Sequence, residues 1–251
     1  MPNYERAFSV ACADIADELG LDLGTLRTAV FAASDRRWRG TNTYPFFHAL
    51  GIESPTTLLS DLPGDFQECD DARAWKDRYR LESWSDGLAA CGVKRSVETL
   101  ASRLDRTFRE ALRRRCDAYP DCAPALRALA RYRLAVLTNG PADVQRTKLE
   151  TSGLAPFFEF VVASGDVGFG KPHPRMFQIA LERLGITPPE AIAIGDSRER
   201  DVVGATAAGV ECIVVERDSA SDPLPTYHAS SFADVPTLVD SIASHTRQPW
   251  R

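Results

Sequence analysis

Two carboxylates follow a short apolar run in the last third of the chain. The run 191–194 is followed at once by Gly195 and Asp196, and Asp201 comes five residues later, where a helical pattern begins. Four consecutive apolar residues are typical of a strand buried on both faces, and ligands bind at the carboxyl ends of strands in open parallel sheets. Two such carboxylates could bind Mg2+. The alternatives are that Asp196 caps the next helix and that Asp201 is an acid favoured in its first turn.

Two earlier segments place polar side chains at the ends of similar elements. The apolar run 134–137 ends in the hydroxyl of Thr138 and the amide of Asn139, and Lys171 stands between a Gly-rich turn and a helix start. Polar groups at the ends of such elements are candidates for a functional site. Each also has a structural alternative, because a strand-end Thr often satisfies nearby backbone groups and Lys is usually exposed.

The sequence resembles the haloacid dehalogenase-like hydrolases in the order and spacing of these groups. Thr-Asn, then Lys, then Gly-Asp-x-x-x-x-Asp match the second, third and fourth motifs of that superfamily, within about residues 118–232. The resemblance implies hydrolysis of phosphate esters through an aspartyl-phosphate intermediate, with Mg2+ as the cofactor. A carboxylate nucleophile divides one difficult displacement into two easier ones, and cations neutralise the charge of the transferred phosphoryl group.

The resemblance assigns a role to each polar residue. Thr138 would donate its hydroxyl to the phosphoryl oxygens, and Asn139 would orient the same oxygens with its amide. Lys171 would stabilise the nucleophile and the phosphoryl oxygens as a point charge. Asp196 would ligate Mg2+, and Asp201 would either ligate the metal through water or hold Lys171.

The resemblance also implies a helical cap that closes over the site, excludes water and selects the substrate. Gly140, which follows the second motif, and Arg39 and Tyr44, in the amino-terminal part of the chain, are predicted to contact the substrate. Small phosphorylated metabolites, such as sugar phosphates or nucleotides, are the expected substrates. Further candidates in the cap, which could equally belong to its own core or surface, are Arg37, Trp38 and His48.

Hydrophobic periodicity divides the chain into two parts. No strand pattern occurs before residue 118, so residues 1–117 are predicted to form a helical cap domain. Two prolines between 119 and 124 indicate a boundary. The predicted cap helices are 4–20, 26–33, 44–50, 71–88 and 96–116, with a polar turn at 34–37.

Strands and helices alternate after the boundary, which predicts a doubly wound parallel α/β sheet over residues 118–245, followed by a tail at 246–251. The predicted strands are 134–138, 160–163, 191–194, 212–215 and 227–230. The predicted helices are 123–131, 142–153, 175–185, 202–209 and 235–243, with a loop at 222–225.

The first motif of the superfamily, a strand that ends in Asp-x-Asp-x-Thr and carries the nucleophile, is missing. The segment 22–26 follows a helix and a Gly with no strand before it, and the apolar run at 29–35 has Ala32 at the position of the nucleophile. The central first strand of the sheet is therefore expected to be absent, which would leave two neighbouring strands with unpaired backbone groups. The preferred hypothesis is that the natural protein starts upstream of Met1.

Composition limits the functions that the chain can have. A net charge of −5 and a pI near 5.5 argue against a nucleic-acid binder. The six Cys contain no Cys-x-x-Cys pair and indicate free thiols in a reducing cytoplasm. No signal peptide or membrane-spanning run is evident. The predicted protein is a cytoplasmic monomer or homodimer whose partner is a small phosphorylated substrate.

Three alternatives to an Mg2+-dependent phosphatase stay open. The first is a non-catalytic protein that keeps the phosphate pocket and the metal acid but lacks the nucleophile. The second is a dehalogenase, although dehalogenases of this superfamily generally lack the acid that Asp196 supplies. The third is an inactive fragment.

Overall fold

A computed structural model describes residues 3–114, 116–216 and 227–245. The predicted loop at 222–225 and the predicted tail at 246–251 lie outside these ranges. Among the described residues, no helix combines the length and the apolar character needed to cross a lipid bilayer.

A helical unit contains the described residues up to Asp117 together with Asn139–Ser152. Its core combines buried aromatic and aliphatic side chains, among them Phe8, Trp38 and Trp84. Phe8 stacks on Trp84 with ring centroids 5.6 Å apart. The helices are α1 (Asn3–Leu19), α2 (Leu23–Arg39), α3 (Tyr44–Ala49), α4 (Gln67–Ala90), α5 (Val97–Arg114) and, from the later segment, α7 (Ala142–Thr151), with a 3-10 turn at Thr56–Leu58.

The predicted polar turn at 34–37 is wrong, because α2 continues through it to Arg39. Ser34 is fully buried, and its hydroxyl is hydrogen-bonded to the hydroxyl of Tyr79 on α4 at 2.7 Å. Polar residues here make contacts between helices, so their polarity did not mark a surface turn. Asp22 caps α2 by accepting a hydrogen bond from the N–H of Thr25 at 2.7 Å, which agrees with its rejection as a nucleophile.

Helix α7 belongs to the helical unit, although residues 118–245 were predicted as one α/β domain. Oδ1 of Asp143 accepts a hydrogen bond from the hydroxyl of Ser60 at 2.7 Å, and Oδ2 accepts one from the N–H of Asp61 at 2.7 Å. Val144 is buried in the core of the helical unit. The predicted domain boundaries stay a prediction, and the compact units of the structure differ from them in this segment.

The α/β unit contains Ala118–Thr138 and the described residues from Gly153 onward. Its strands are β1 (Ala135–Thr138), β2 (Phe160–Ala163), β3 (Ile192–Gly195), β4 (Glu211–Val215) and β5 (Tyr227–Ala229). Its helices are α6 (Cys122–Ala128), α8 (Ser164–Val167), α9 (Arg175–Leu184), α10 (Val203–Ala207) and α11 (Val235–His245), with a π-helix at Arg198–Val202 and 3-10 turns at Ala155–Phe157, Pro188–Glu190 and Phe232–Asp234.

Every described strand pair is parallel, as predicted, but the strands form two sheets. One sheet has the order β1-β2 and the other β3-β4-β5. Thr138 lies opposite Ala163, and Gly195 lies opposite Val214. The α/β class with a helical cap is confirmed, and the described strands lack one that would join β1 to β3.

Candidate active site

Lys171 is at the centre of a polar cluster in the α/β unit. Its Nζ atom donates hydrogen bonds to the carbonyl oxygen of Leu137 at 3.0 Å and to Oδ1 of Asp201 at 2.6 Å. Leu137 precedes Thr138 at the carboxyl end of β1. The Lys171 side chain is 15% exposed and the Asp201 side chain 8%, so each charge depends on the other for compensation. The structure therefore brings two predicted site residues into one ion pair beside Thr138.

Asp201 accepts a hydrogen bond at each carboxylate oxygen. Oδ2 accepts from the N–H of Ser197 at 3.0 Å, while Oδ1 accepts from Lys171. This geometry matches the alternative in which Asp201 holds Lys171, and a role for Asp201 as a metal ligand stays a prediction. Burial and then the negative charge of Asp201 raise the pKa of the Cys212 thiol to about 12, so that thiol is neutral near the pair at pH 7.

Gly195 gives Asp201 the space that it occupies. A Cβ atom at Gly195 would lie 2.3 Å from Cγ of Asp201 and 2.4 Å from Oδ2. Any larger residue would therefore displace the carboxylate or the end of β3. The two residues of the Gly-Asp pair thus have separate functions. Gly195 leaves space for the carboxylate of Asp201, and Asp196 contributes a second carboxylate.

Asp196 follows β3 directly, and its side chain is exposed. Ser197, and not Asp196, has the capping position of the next turn, where its Oγ accepts a hydrogen bond from the N–H of Arg200 at 3.3 Å. The turn is the π-helix Arg198–Val202, which continues into α10. Short π segments occur frequently at functional sites. The capping alternative for Asp196 is wrong, which leaves its carboxylate at the carboxyl end of β3.

A small residue in α10 sets the position of the loop that carries Lys171. A Cβ atom at Gly204 would lie 2.9 Å from the carbonyl oxygen of Pro172 and 2.5 Å from Cε2 of Phe177. Glycine therefore lets the backbone after Lys171 pack directly on α10. This contact fixes the loop on the same element that follows Asp201.

Asn139 and Gly140 belong to the helical unit. Gly140 is buried with φ +139°, and a Cβ atom there would lie 2.1 Å from Nε2 of Gln145. The same Nε2 donates a hydrogen bond to the carbonyl oxygen of Asn139 at 3.0 Å. Gly140 therefore provides a backbone conformation and a space that other residues cannot, and its predicted contact with substrate stays a prediction.

Arg39 and Tyr44 form a cluster with His48, in which Arg39 and His48 are exposed and Tyr44 is half-buried. Nη1 of Arg39 donates a hydrogen bond to the hydroxyl of Tyr44 at 3.1 Å, and the Tyr44 ring stacks on His48 with centroids 5.1 Å apart. Arg39 is also paired with Asp35, its neighbour one helical turn away. The cluster presents polar and aromatic groups to solvent, and its role in substrate binding stays a prediction.

Two further cap candidates have structural roles. Trp38 is fully buried in the core of the helical unit. Arg37 is ion-paired with Asp86 at 2.7 Å and with Glu82. Both side chains therefore have structural contacts within the helical unit, which agrees with the alternative that these candidates belong to the core or surface of the cap.

Sequence reasoning missed Gly51 and Glu53. Gly51 has φ +66°, and a Cβ atom there would lie 2.6 Å from Nδ2 of Asn139. Oε1 of Glu53 contacts Nδ1 of His48, while Oε2 of Glu53 is buried without a hydrogen-bond partner among the described residues. A glycine after a helix predicts only a helix end, so no local signal indicated that Gly51 packs against a residue of the second motif.

The described residues supply an incomplete set of ligands for Mg2+. They contain no group of three or more His, Cys, Asp and Glu side chains that could hold a metal ion. Asp196 offers one exposed carboxylate at the end of β3, whereas both oxygens of Asp201 accept protein hydrogen bonds. Because Mg2+ requires six oxygen ligands and usually keeps several waters, Asp196 could supply only part of such a site.

Comparison with known proteins identifies relatives along most of the chain. A family model described as a haloacid dehalogenase-like hydrolase matches residues 12–209. The phosphoserine phosphatase of Thermus thermophilus is 36% identical over 210 residues, which cover 81% of each chain. The glyceraldehyde 3-phosphate phosphatase of Methanopyrus kandleri is 38% identical over 109 residues, which cover 43% of this chain and 47% of that protein. The chain thus spans less than half the length of the second relative.

A solved structure is similar to this chain over most of its length. The 2-haloacid dehalogenase from Pseudomonas syringae pv. Tomato matches with a TM-score of 0.50 and 26% identity, over 85% of this chain and 91% of that chain. The match agrees with the α/β class predicted from the alternation of strands and helices.

Proposed function

The chain belongs to the haloacid dehalogenase-like hydrolases, on the phosphatase side of that family, and we propose that it hydrolyses a phosphate monoester of a small metabolite with Mg2+ as cofactor. A phosphoric monoester hydrolase uses one water molecule to replace the ester oxygen on phosphorus, and so releases inorganic phosphate and an alcohol. The observation that best supports this proposal is that Leu137 and Asp201 hold the Lys171 ammonium group at the carboxyl end of β1.

The proposed roles are those that the resemblance to the family assigns, and the contacts of Lys171 support them. Lys171 neutralises charge on the phosphoryl oxygens, and Asp201 keeps its ammonium group in place. Thr138, next to Leu137, donates its hydroxyl to the same oxygens, and Asn139 orients them. Asp196 supplies one oxygen ligand to Mg2+, which when bound would neutralise phosphoryl charge. We assign the nucleophile to no residue of this sequence.

The proposed substrates are small phosphorylated compounds such as phosphoserine and glyceraldehyde 3-phosphate, on which the named relatives act. Gly140, Arg39 and Tyr44 are proposed to contact the part of the substrate beyond the phosphate. The six cysteines are all free thiols, which supports a cytoplasmic location. A monomer or a homodimer is proposed as the assembly.

The experiment is a phosphate-release assay of the purified chain with phosphoserine and glyceraldehyde 3-phosphate, with and without Mg2+. We expect phosphate release in the presence of Mg2+, and we expect chelation of the metal to abolish it. Asp196→Asn should also abolish phosphate release, and Lys171→Met should lower its rate at least about 100-fold. Glu199→Gln, which changes an exposed acid close by in sequence, is the matched control and should leave the rate unchanged. Release that is equal in wild type and Asp196→Asn would contradict the assignment.

A second candidate is a non-catalytic phosphate-binding protein. The observation that favours it is the incomplete ligand set, since the described residues hold no cluster of three metal-binding side chains. Saturable binding of phosphoserine by titration calorimetry, without phosphate release, would support this function. A dehalogenase is a weaker candidate, because an acid at Asp196 favours phosphatase chemistry.

A further inference from the structure

Asp143, in the first turn of α7, ties this helix to a distant segment of the helical unit. Its Oδ1 atom accepts a hydrogen bond from the hydroxyl of Ser60, and its Oδ2 atom accepts one from the N–H of Asp61, both at 2.7 Å. Oδ1 also accepts from the N–H of Val144 at 2.9 Å. Three donors therefore hold the carboxylate in one orientation, and charge strengthens each bond. We call Ser60 and Asp61 the corner.

The corner is fixed by side chains from the two longest helices of the helical unit. Ser60 is fully buried, and its carbonyl oxygen accepts a hydrogen bond from Nη1 of Arg80 on α4 at 2.7 Å. Oδ1 of Asp61 accepts from Lys76 at 3.1 Å and from Nη1 and Nη2 of Arg80 at 3.2 Å. The same oxygen accepts from Nη2 of Arg109 on α5 at 2.9 Å. The corner is thus a rigid support for the helix that Asp143 begins.

Asn139 lies four residues before Asp143 and is connected to the same helix. Nε2 of Gln145, a residue of α7, donates a hydrogen bond to the carbonyl oxygen of Asn139 at 3.0 Å. A Cβ atom at Gly51 would lie 2.6 Å from Nδ2 of Asn139, so the side chain of Asn139 has little space on that side. Gly140 is buried with φ +139°. A shift of the start of α7 would therefore move Asn139.

We propose that Asp143 is a positioning residue, which holds α7 on the corner and thereby fixes the amide of Asn139. This inference rests on the proposed function, in which Asn139 orients the phosphoryl oxygens. Asp143 acts through Asn139, since both of its own oxygens accept hydrogen bonds within the helical unit. Groups that orient a reacting centre must be held within about 0.5 Å of their productive position, and a small displacement lowers the rate steeply.

The first experiment compares Asp143→Ala with Asp143→Asn in phosphate release from phosphoserine with Mg2+. We expect Asp143→Ala to lower kcat at least about tenfold, and to change KM less than about twofold, because the loss affects orientation in the transition state. Asp143→Asn should keep kcat within about threefold of the wild type. Its amide oxygen can accept from the N–H of Asp61, and its NH2 group can donate to Oγ of Ser60.

Asp121 offers a matched control, because it makes the same kind of contact in the α/β unit. Its Oδ2 atom accepts hydrogen bonds from the hydroxyl of Ser231 and from the N–H of Phe232, both at 3.0 Å. Asp121→Ala should lower Tm about as much as Asp143→Ala does and leave kcat unchanged. Equal losses of kcat in the two variants would overturn the proposal, because they would follow from lost stability and not from the position of Asn139.

A double-mutant cycle in kcat tests whether Asp143 acts through Asn139. Asn139→Ala removes the amide that is to be positioned, so adding Asp143→Ala should lower kcat by less than about twofold more. A combined loss equal to the product of the two single losses would overturn the proposal. If Asp143→Ala does not fold, Ser60→Ala replaces it in both experiments. That variant removes one of the two contacts with the corner and should lower kcat about threefold.

The position of Asn139 can also be measured without turnover. In heteronuclear NMR spectra of the isotope-labelled chain, the side-chain amide signals of Asn139 should shift and broaden in Asp143→Ala and should stay unchanged in Asp121→Ala. Unchanged signals in Asp143→Ala would overturn the proposal even if kcat falls. A wild-type chain that releases no phosphate would overturn the proposed function, whereas the amide signals would still decide whether Asp143 fixes Asn139.

Discussion

At the scale of single residues, the candidate site depends on Gly195, which has no Cβ atom. A Cβ atom at Gly195 would lie 2.3 Å from Cγ of Asp201, and Asp201 is the acceptor that holds Lys171. The Gly-Asp pair at the end of β3 was predicted as a metal motif. The structure adds a steric reason why the first residue of this pair, Gly195, is a glycine.

Gly195→Ala should therefore damage the site more than a typical glycine substitution. We expect the methyl group to displace Asp201 and to lower both activity and the free energy of unfolding, the latter by about 1–3 kcal/mol. Gly24→Ala is the matched control, because its Cβ atom would meet no atom closer than 3.4 Å. Urea unfolding and phosphate release measure both effects, and equal stability of the two variants would contradict the steric argument.

The Lys171–Asp201 ion pair should show strong coupling. Its side chains are 15% and 8% exposed, so removing one partner leaves an uncompensated charge that costs about 3–5 kcal/mol. We expect Lys171→Met and Asp201→Asn each to lower the free energy of unfolding by an amount of that order. The double variant should lower it by less than the sum of the two single effects. The exposed pair Arg39–Asp35 is the control, for which Asp35→Asn should cost less than about 1 kcal/mol. Additive effects at Lys171 and Asp201 would show that the two charges do not interact.

At the scale of elements, α7 carries a lysine whose charge destabilises the fold. Burial lowers the pKa of Lys148 below its usual value, and the negative charge of Cys116 in its ionised form opposes this only in part. The native state then binds fewer protons than the unfolded state between the lowered pKa and about 10.4. The free energy of unfolding should rise with pH through that window, because the penalty disappears when Lys148 loses its proton.

Lys148→Met should remove both the penalty and this part of the pH dependence. We expect an increase of about 1 kcal/mol in the free energy of unfolding at pH 7, or ~3 °C in Tm. The rise of stability toward pH 10 should be smaller than in the wild type. Lys94→Met changes an exposed lysine and should leave both properties unchanged. A less stable Lys148→Met at pH 7 would indicate that the ammonium group contributes favourable contacts.

At the scale of the whole molecule, two neighbouring strands of the three-stranded sheet, β3 and β4, should differ in local stability. Within the part of the chain that the structure describes, β4 pairs on both sides and is buried at four of five positions, whereas β3 pairs on one side and is half-buried throughout. Exposed backbone hydrogen bonds open more readily than buried ones. Hydrogen exchange should therefore be slower in β4 than in β3, by at least about tenfold. Equal rates in β3 and β4 would mean that the open edge has no effect on local opening.

The sequence determined the order of the elements and the polar groups at the strand ends. Runs such as 134–138 and 191–194 identify strands because a strand covered on both faces is apolar along its length. Thr138, Lys171, Asp196 and Asp201 were predicted as site residues from their places after apolar runs and turns and from the resemblance to the family. Local patterns were insufficient at 34–37, where buried Ser34 hydrogen-bonds to another helix.

Only the tertiary structure decided which distant groups meet. It placed α7 with the helical unit through Asp143, set Gly51 against Asn139, and made Asp201 the partner of Lys171. Among the described residues, it also placed one edge of β1 and one edge of β3, neither with a neighbouring strand, on one cavity. These outcomes depend on contacts between residues far apart in the chain, and hydrophobic periodicity carries no information about such pairs, because it records only which face of an element is buried.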